Sequence, residues 1–339
     1  MSWLCRPAAA SMPPARIAPG SRIACLLLAL VGLGGASPTA AQSPTLVPGG
    51  ASEQITPIPA MPAQDPRRAA LGERLFQDRR LSHDNMRSCS SCHDTRTNGA
   101  SANVRDSTPQ GEPLALNTPT IFNAGLNFRL NWEGNFRSLA RQAEHVLRNP
   151  AIMASSVEEV LVKLRADPNM VRQFRDAYGR EPDRSALLDA IATYERSLVT
   201  PGSRFDRFLA GDPGAITPHE LSGYRLFESL GCVTCHQGVN LGGNLFARHG
   251  IFHPIGSAEP EVLRVPGLRN VATTPPYFHD GSAPTLPAAV RSMGIAQLDR
   301  VLAEQQIVAI VAFLNTLTGT YRGQPVALPA GAARATASP

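Results

Sequence analysis

Cysteine is scarce in this chain, strand patterning is nearly absent, and no basic run occurs. Each absence excludes something. Only six cysteines occur in 339 residues, and after residue 25 they fall only in two short clusters, at 89–92 and 232–235. No segment shows sustained apolar–polar alternation, which argues against a β-sheet core. Neither a basic run nor an interleaving of aromatic and basic residues is present, so nucleic acid is not a partner. The apolar run from Ile23 to Val31 is too short to cross a bilayer comfortably. The formal net charge is +5, but three of the arginines precede that run.

What is present is one pentapeptide in two copies, Cys89-Ser-Ser-Cys92-His93 and Cys232-Val-Thr-Cys235-His236. Cys-x-x-Cys-His is the attachment signature of c-type haem. Two thiols one helical turn apart reach the two vinyl groups of one porphyrin, and the next residue offers its imidazole to the iron. The two motifs therefore predict two covalent haem c groups. Cys89, Cys92, Cys232 and Cys235 are the attachment residues, and His93 and His236 the proximal ligands. The competing reading is a zinc site built from two Cys-x-x-Cys knuckles. Zinc ribbons hold their pairs about 15–20 residues apart. Here the pairs are much further apart, and each runs directly into a histidine.

The beginning of the chain says where such haems are attached. Arg6, Arg16 and Arg22 precede the apolar run, and a small-residue stretch ends in Thr39-Ala40-Ala41. This is the pattern of a secretory signal peptide, residues 1–41. Cys25 opens the apolar run instead of closing it, which excludes a lipoprotein signal. Cleavage near Ala41 removes Cys5, Cys25 and the three arginines, leaving a nearly charge-balanced chain. Its four remaining cysteines are all used by haem, so no disulfide is available. The signal points to the bacterial periplasm, where c-type haem is attached.

Residues 42–66 hold Pro44, Pro48, Pro57, Pro59, Pro62 and Pro66, and residues 323–339 are rich in Ala, Pro and Gly. Both read as extended or disordered, a linker and a tail. Between them the apolar spacing is helical. Helices are predicted over 69–78 and 222–230, each leading to a haem motif. Others are predicted over 157–166, 170–178, 186–198 and 305–317, the last ended by Gly319. Thr217-Pro218-His219-Glu220 is a capping box with proline at the first helical position. The expected fold is all-α: two c-type cytochrome domains with long loops, 67–200 and 201–322, dividing near Thr200-Pro201-Gly202.

The two halves look duplicated. An offset of 147, from Asn123 to Asn270, lays Pro119 on Pro266, Glu133 on Asp280, Gly134 on Gly281, Ser138 on Thr285 and Leu139 on Leu286 without a gap. The same offset lays Met293 on Val146. A methionine about sixty residues beyond a haem histidine suits a distal thioether ligand, whereas valine cannot ligate iron. The competing account of Met293 is core packing, for which methionine is well suited.

Together these residues resemble the bacterial di-haem cytochrome c peroxidase family, whose relatives include the MauG-type enzymes that oxidise other proteins. The resemblance covers about 67–319. Leu71-Gly-Glu-Arg-Leu-Phe76 looks like the helix before the family's first haem motif. Leu116-Asn-Thr-Pro-Thr-Ile-Phe-Asn-Ala124 and Trp132-Glu-Gly134 look like its inter-haem segment. Arg264-Val-Pro-Gly-Leu-Arg-Asn-Val271, Pro276-Tyr-Phe-His-Asp-Gly-Ser282 and Met293-Gly-Ile-Ala-Gln-Leu298 look like its second-haem segment. The resemblance implies that Met293 ligates the second haem iron and that Trp132 stands between the haems. It implies one calcium ion at Asn117, Thr274 and Pro276, the last two through backbone carbonyls; oxygen ligands suit calcium. It implies Gln142 as a distal residue of the first haem.

The departures from the family pattern are equally specific. No histidine lies between His93 and His145, and Pro109 stands where the family's removable distal histidine is placed by counting. The family's distal glutamate falls on Ile152, in Asn149-Pro-Ala-Ile152-Met153. Isoleucine moves no proton, so His145 is the nearest titratable candidate and Glu144 an alternative. A surface helix histidine is the competing account of His145. The expected function is a periplasmic peroxidase that reduces hydrogen peroxide to water with electrons from a small cytochrome c or cupredoxin; a homodimer is compatible with it. Two rivals are a MauG-like, peroxide-dependent oxidase of a partner protein and a non-catalytic di-haem electron-transfer cytochrome.

Overall fold

Acidic and hydroxyl side chains, several followed by proline, set where the helices begin. The computed structural model describes residues 54–329; the expected signal peptide lies outside them. Asp65 accepts hydrogen bonds from the Arg67 and Arg68 amides, and Pro66 fills the first position of α1, Pro66–Phe76. Leu139–Arg148 forms α2, Val157–Arg165 α3, and Pro168–Tyr178 α4, which closes on Gly179 at φ +69°. Asp183 caps α5, Arg184–Ser197. Ser203 and Asp206 cap α6, Arg204–Leu209, reciprocally. Thr217 and Glu220 form the expected capping box of α7, Pro218–Ser229. Leu286–Leu298 is α8 and Glu304–Asn315 is α9. Helices α2, α6 and α8 were not foreseen from the sequence; the others fall within a few residues of expectation. Among the described residues, no helix is long and apolar enough to cross a membrane.

The all-α expectation needs a correction. The chain is mainly helical, but two small antiparallel hairpins occur. Strand β1, Phe246–Arg248, pairs with β2, Val262–Arg264; β3, Thr320–Tyr321, pairs with β4, Gln324–Pro325. These strands are too short to show a sequence period.

Each half is built on one close helix pair. α1 packs along α5, and α7 along α9. A glycine makes each crossing possible. A Cβ at Gly72 would overlap the Ala190 carbonyl and lie 2.7 Å from Tyr194 Cβ. A Cβ at Gly223 would overlap the Ala309 carbonyl and lie 3.0 Å from Phe313 Cβ. One apolar cluster gathers Leu75, Leu164, Met170, Phe174 and Ile191. A second gathers Phe205, Tyr224, Phe227, Ile310 and Phe313.

The 147-residue offset reappears in backbone conformation. Asn123 and Asn270 are left-handed, at φ +61° and +62°, and each opens a short 3-10 turn. Isolated bridges join Leu130 to Phe136 and Tyr277 to Ala283. Gly134 and Gly281 have φ of +65° and +71°. Ser138 and Thr285 occupy the N-caps of α2 and α8. The two asparagines also meet at one atom. Thr200 Oγ1 accepts Asn123 Nδ2 at 2.8 Å and Asn270 Nδ2 at 2.9 Å.

Two segments expected to be loose are pinned. Residues 54–65 are extended, but Ile55 is buried in the second cluster, the Ile58 amide donates to Asp206, and Arg269 donates to the Thr56 carbonyl. The linker is therefore part of the second core. In the expected tail, 323–329 is ordered. β4 leads Val326 into a third cluster with Phe76, Phe122, Tyr194 and Leu198, and Arg322 pairs with Glu73 at 2.6 Å. The rest of that tail lies outside the described residues.

Candidate functional site

Both Cys-x-x-Cys segments coil into a short 3-10 turn, Cys89–Ser91 and Cys232–Thr234, that delivers its histidine to the same setting. His93 Nδ1 lies 3.1 Å from the Gly99 carbonyl, and His236 Nδ1 lies 3.2 Å from the Leu241 carbonyl. A carbonyl only accepts, so each Nδ1 carries the proton and each Nε2 keeps its lone pair. Burial holds both imidazoles below the usual histidine range, hence neutral. Each ring also stands on an aromatic ladder. His93 faces Phe76 at 6.5 Å and Phe76 faces Tyr194 at 5.3 Å; His236 faces Phe227 at 6.3 Å and Phe227 faces Phe313 at 5.3 Å.

Cys89, Cys92, Cys232 and Cys235 form no disulfide. Burial pushes Cys92 up to about 12 and Cys232 to about 11, and raises Cys89 and Cys235 as well. Neutral thiols beside apolar surface and a bare imidazole nitrogen fit a thioether-bound haem. Among the described residues, no three His, Cys, Asp or Glu side chains converge as a metal-holding group, so the two knuckles do not combine.

The residues assigned to the far side of each haem sit on α2 and α8. Val146 and Met293 occupy the same step of these helices. Val146 packs against the first cluster. Met293 is half-buried and stands outside the second cluster. Gln142 donates to Asn131 Oδ1 at 3.3 Å. His145 is exposed, with its ring 4.8 Å from Phe136. Glu144 is buried between two cations, Arg184 at 2.5 Å and Arg148 at 2.9 Å, so its carboxylate is already engaged. Ile152 packs against the first cluster.

Trp132 and Asn117 meet directly: the indole N–H donates to the Asn117 carbonyl at 2.8 Å. The Trp132 ring stands edge-on to His279 at 6.4 Å. The Asn117 amide donates to the His279 carbonyl at 2.7 Å, laying Asn117 beside the segment that carries Thr274 and Pro276. Asn117 Nδ2 donates to the Asn103 and Val104 carbonyls. The Thr274 hydroxyl donates back to the Val271 carbonyl.

Sequence reasoning missed three ionisable groups near these sites. Asp106 is buried in the loop after the first motif. Burial raises its carboxyl, but donors on Thr118, Asn103 and Ser101 outweigh that and hold it below the usual range. Glu195 is buried next to Cys89, and desolvation pushes it up to about 8. Arg264 is buried at the end of β2, where its backbone amide donates to the Trp132 carbonyl at 2.7 Å. No spacing signal marks any of the three.

Comparison with known proteins supplies the family. A family model for di-haem cytochrome c peroxidase matches residues 66–214. The chain is 38% identical to a cytochrome c551 peroxidase of Nitrosomonas europaea over 284 residues, 79% of this chain and 85% of that one. It is 37% identical to a cytochrome c551 peroxidase of Pseudomonas aeruginosa, over 79% of this chain and 83% of that one. The crystal structure of a MauG-like protein associated with microbial copper homeostasis superposes with a TM-score of 0.67 at 25% identity, covering 78% of this chain and 93% of that one. The chain belongs to the di-haem cytochrome c peroxidase family.

Proposed function

We propose that the protein reduces hydrogen peroxide to water with electrons drawn from a small c-type cytochrome. The observation that carries this reading is the pair of Cys-x-x-Cys-His turns, each with a neutral imidazole whose Nδ1 is held by a backbone carbonyl, in a chain akin to named cytochrome c peroxidases. Haem supplies the one-electron chemistry when bound; the protein sets ligation, orientation and proton supply. His93 and His236 would each ligate one haem iron. Met293 would be a second ligand to the iron of the haem at Cys232 and Cys235, whereas Val146, at the matching position, offers the other iron none. The position of Met293 outside the apolar cluster supports ligation over packing. Trp132 would relay electrons between the two haem domains, and Asn117, Thr274 and Pro276 would supply oxygen ligands to a calcium ion. Gln142 orients peroxide. His145 is the nearest proton carrier, since Glu144 is locked between arginines. The enzyme works in the periplasm after loss of residues 1–41 and accepts a cupredoxin as an alternative donor.

Peroxide-dependent oxidation of a reduced c-type cytochrome by purified holoprotein tests the reading. Turnover only in the presence of one particular protein, which itself becomes modified, would transfer the assignment to a MauG-like oxidase. No turnover with any donor would leave an electron-transfer cytochrome.

A further inference from the structure

Among the described residues, two arginines where the halves meet have no acidic partner. Arg264 is 6% exposed. Its Nε donates to the Asn131 carbonyl at 3.1 Å, and its Nη1 reaches the Val265 carbonyl only at 3.4 Å. Burial alone acts on its charge; no carboxylate offsets it. The contrast is Arg269, equally buried and paired with Asp206 at 2.7 Å. Arg129 has a buried Nε without a partner, and its guanidinium lies 5.2 Å from the Phe128 ring centre. The two cations share one neighbourhood. Asn131 follows Arg129 by two residues. Phe246, the strand partner of Arg264, packs on Gly134 beside Arg129 Cβ.

A guanidinium taken out of water without a counter-charge is costly, so its partner is an anion outside the polypeptide. The site of Arg264 narrows the choice. β2 runs directly into Pro266, whose backbone faces the His236 imidazole. Arg264 thus lies on the wall of the second haem site. A haem tethered through its vinyl groups carries its two carboxylates at another edge, and the planar guanidinium fork matches a carboxylate. We propose that Arg264, with Arg129 beside it, pairs with a carboxylate of the haem attached at Cys232 and Cys235. Trp132, whose carbonyl accepts the Arg264 amide, would then adjoin the paired carboxylate. Arg264 is a positioning residue that also contributes positive charge to the second iron. This inference rests on the two-haem reading above.

The test is spectroelectrochemical titration of both haems in wild type, Arg264→Gln and Arg264→Lys holoprotein across the neutral pH range. Loss of the positive charge should lower the second-haem potential in Arg264→Gln and make it pH-dependent, because the freed carboxylate now titrates. Arg264→Lys should restore part of the shift, and the first haem should not respond. Unchanged potential and pH dependence in Arg264→Gln, with both haems still attached, overturns the pairing. A wild-type second-haem potential that moves with added phosphate at constant ionic strength also overturns it, because the partner is then a free anion. If Arg264→Gln does not fold, infrared redox difference spectra of wild type with carbon-13-labelled haem carboxyls decide. A carboxylate band displaced from the solvent-exposed position supports the pairing, and an undisplaced band refutes it. A wild-type haem count below two is a separate failure, of the two-haem reading itself.

Discussion

Thr200→Val tests whether the halves are joined as the repeat describes. Thr200 is 1% exposed, and its hydroxyl accepts both repeat-related amides, Asn123 Nδ2 and Asn270 Nδ2. Valine keeps the shape and removes the acceptor. Neither amide can turn to find another. Asn123 Oδ1 is held by the Thr200 amide at 2.9 Å, and Asn270 Oδ1 by the Gly319 amide at 3.0 Å. Two buried donors are stranded, each costing about 1–3 kcal/mol, so the loss is about 2–6 kcal/mol. For a protein of this size that lowers the melting temperature by roughly 3–10 °C. Thr200→Ser keeps both hydrogen bonds and loses one methyl, about 0.5–1.5 kcal/mol. Far-ultraviolet circular dichroism of the ferric holoproteins in guanidinium measures both. Thr200→Val within about 1 kcal/mol of wild type, or Thr200→Ser as damaging as Thr200→Val, refutes the shared-acceptor argument.

Four further outcomes are expected. Cys92→Ala should lose thioether attachment at the first haem and keep the second, read as intact mass after acid-acetone extraction; a wild-type mass equal to the bare polypeptide refutes the haem assignment. Met293→Ala should open the second iron and lower its potential; an unchanged near-infrared sulfur-to-iron band would reduce Met293 to packing. The oxidised protein should show a high-spin paramagnetic resonance signal from the first haem and react with peroxide without prior reduction. Ile152→Glu should speed that reaction, since acid–base assistance is typically worth about 10²–10⁴-fold; two low-spin signals alone would reveal an unassigned distal ligand. Glu195 should make the protein less stable as pH rises. Its folded carboxyl is raised by desolvation from 4.5 to about 8, so its contribution is whole below the unfolded value and is lost through that window. The slope is at most about 1.4 kcal/mol per pH unit. Glu195→Gln should flatten the profile, and an identical profile in the variant sinks the assignment.

What the sequence discloses here is local and what it hides is long-range. Thr217 three residues before Glu220 announces α7 because the capping partners are neighbours in the chain; Asp65 and Pro66 open α1 by equally local contacts, although composition assigns Pro66 to the linker. α8 escapes because a glycine, Gly294, lies within it and apolar residues lie on several sides, leaving no stripe to read. Ile55 and Val326 escape because their cores are assembled from residues far along the chain. The haem-attachment residues are legible since the chemistry fixes their spacing. The Gly99 and Leu241 carbonyls that orient the imidazoles are not, because a loop's path, not its composition, brings them there.

The repeat is the exception that carries long-range information, because duplication preserves backbone slots while side chains diverge. Asn123 and Asn270 still share a left-handed conformation, and the Gly72 and Gly223 crossings still admit no Cβ. Against that constant frame, one slot holds Val146 packed into its cluster and the other Met293 standing clear of its own. The difference at this slot is therefore not one of position along the helix. It resides in the side chain presented, and for that reason an offset read along the sequence locates it.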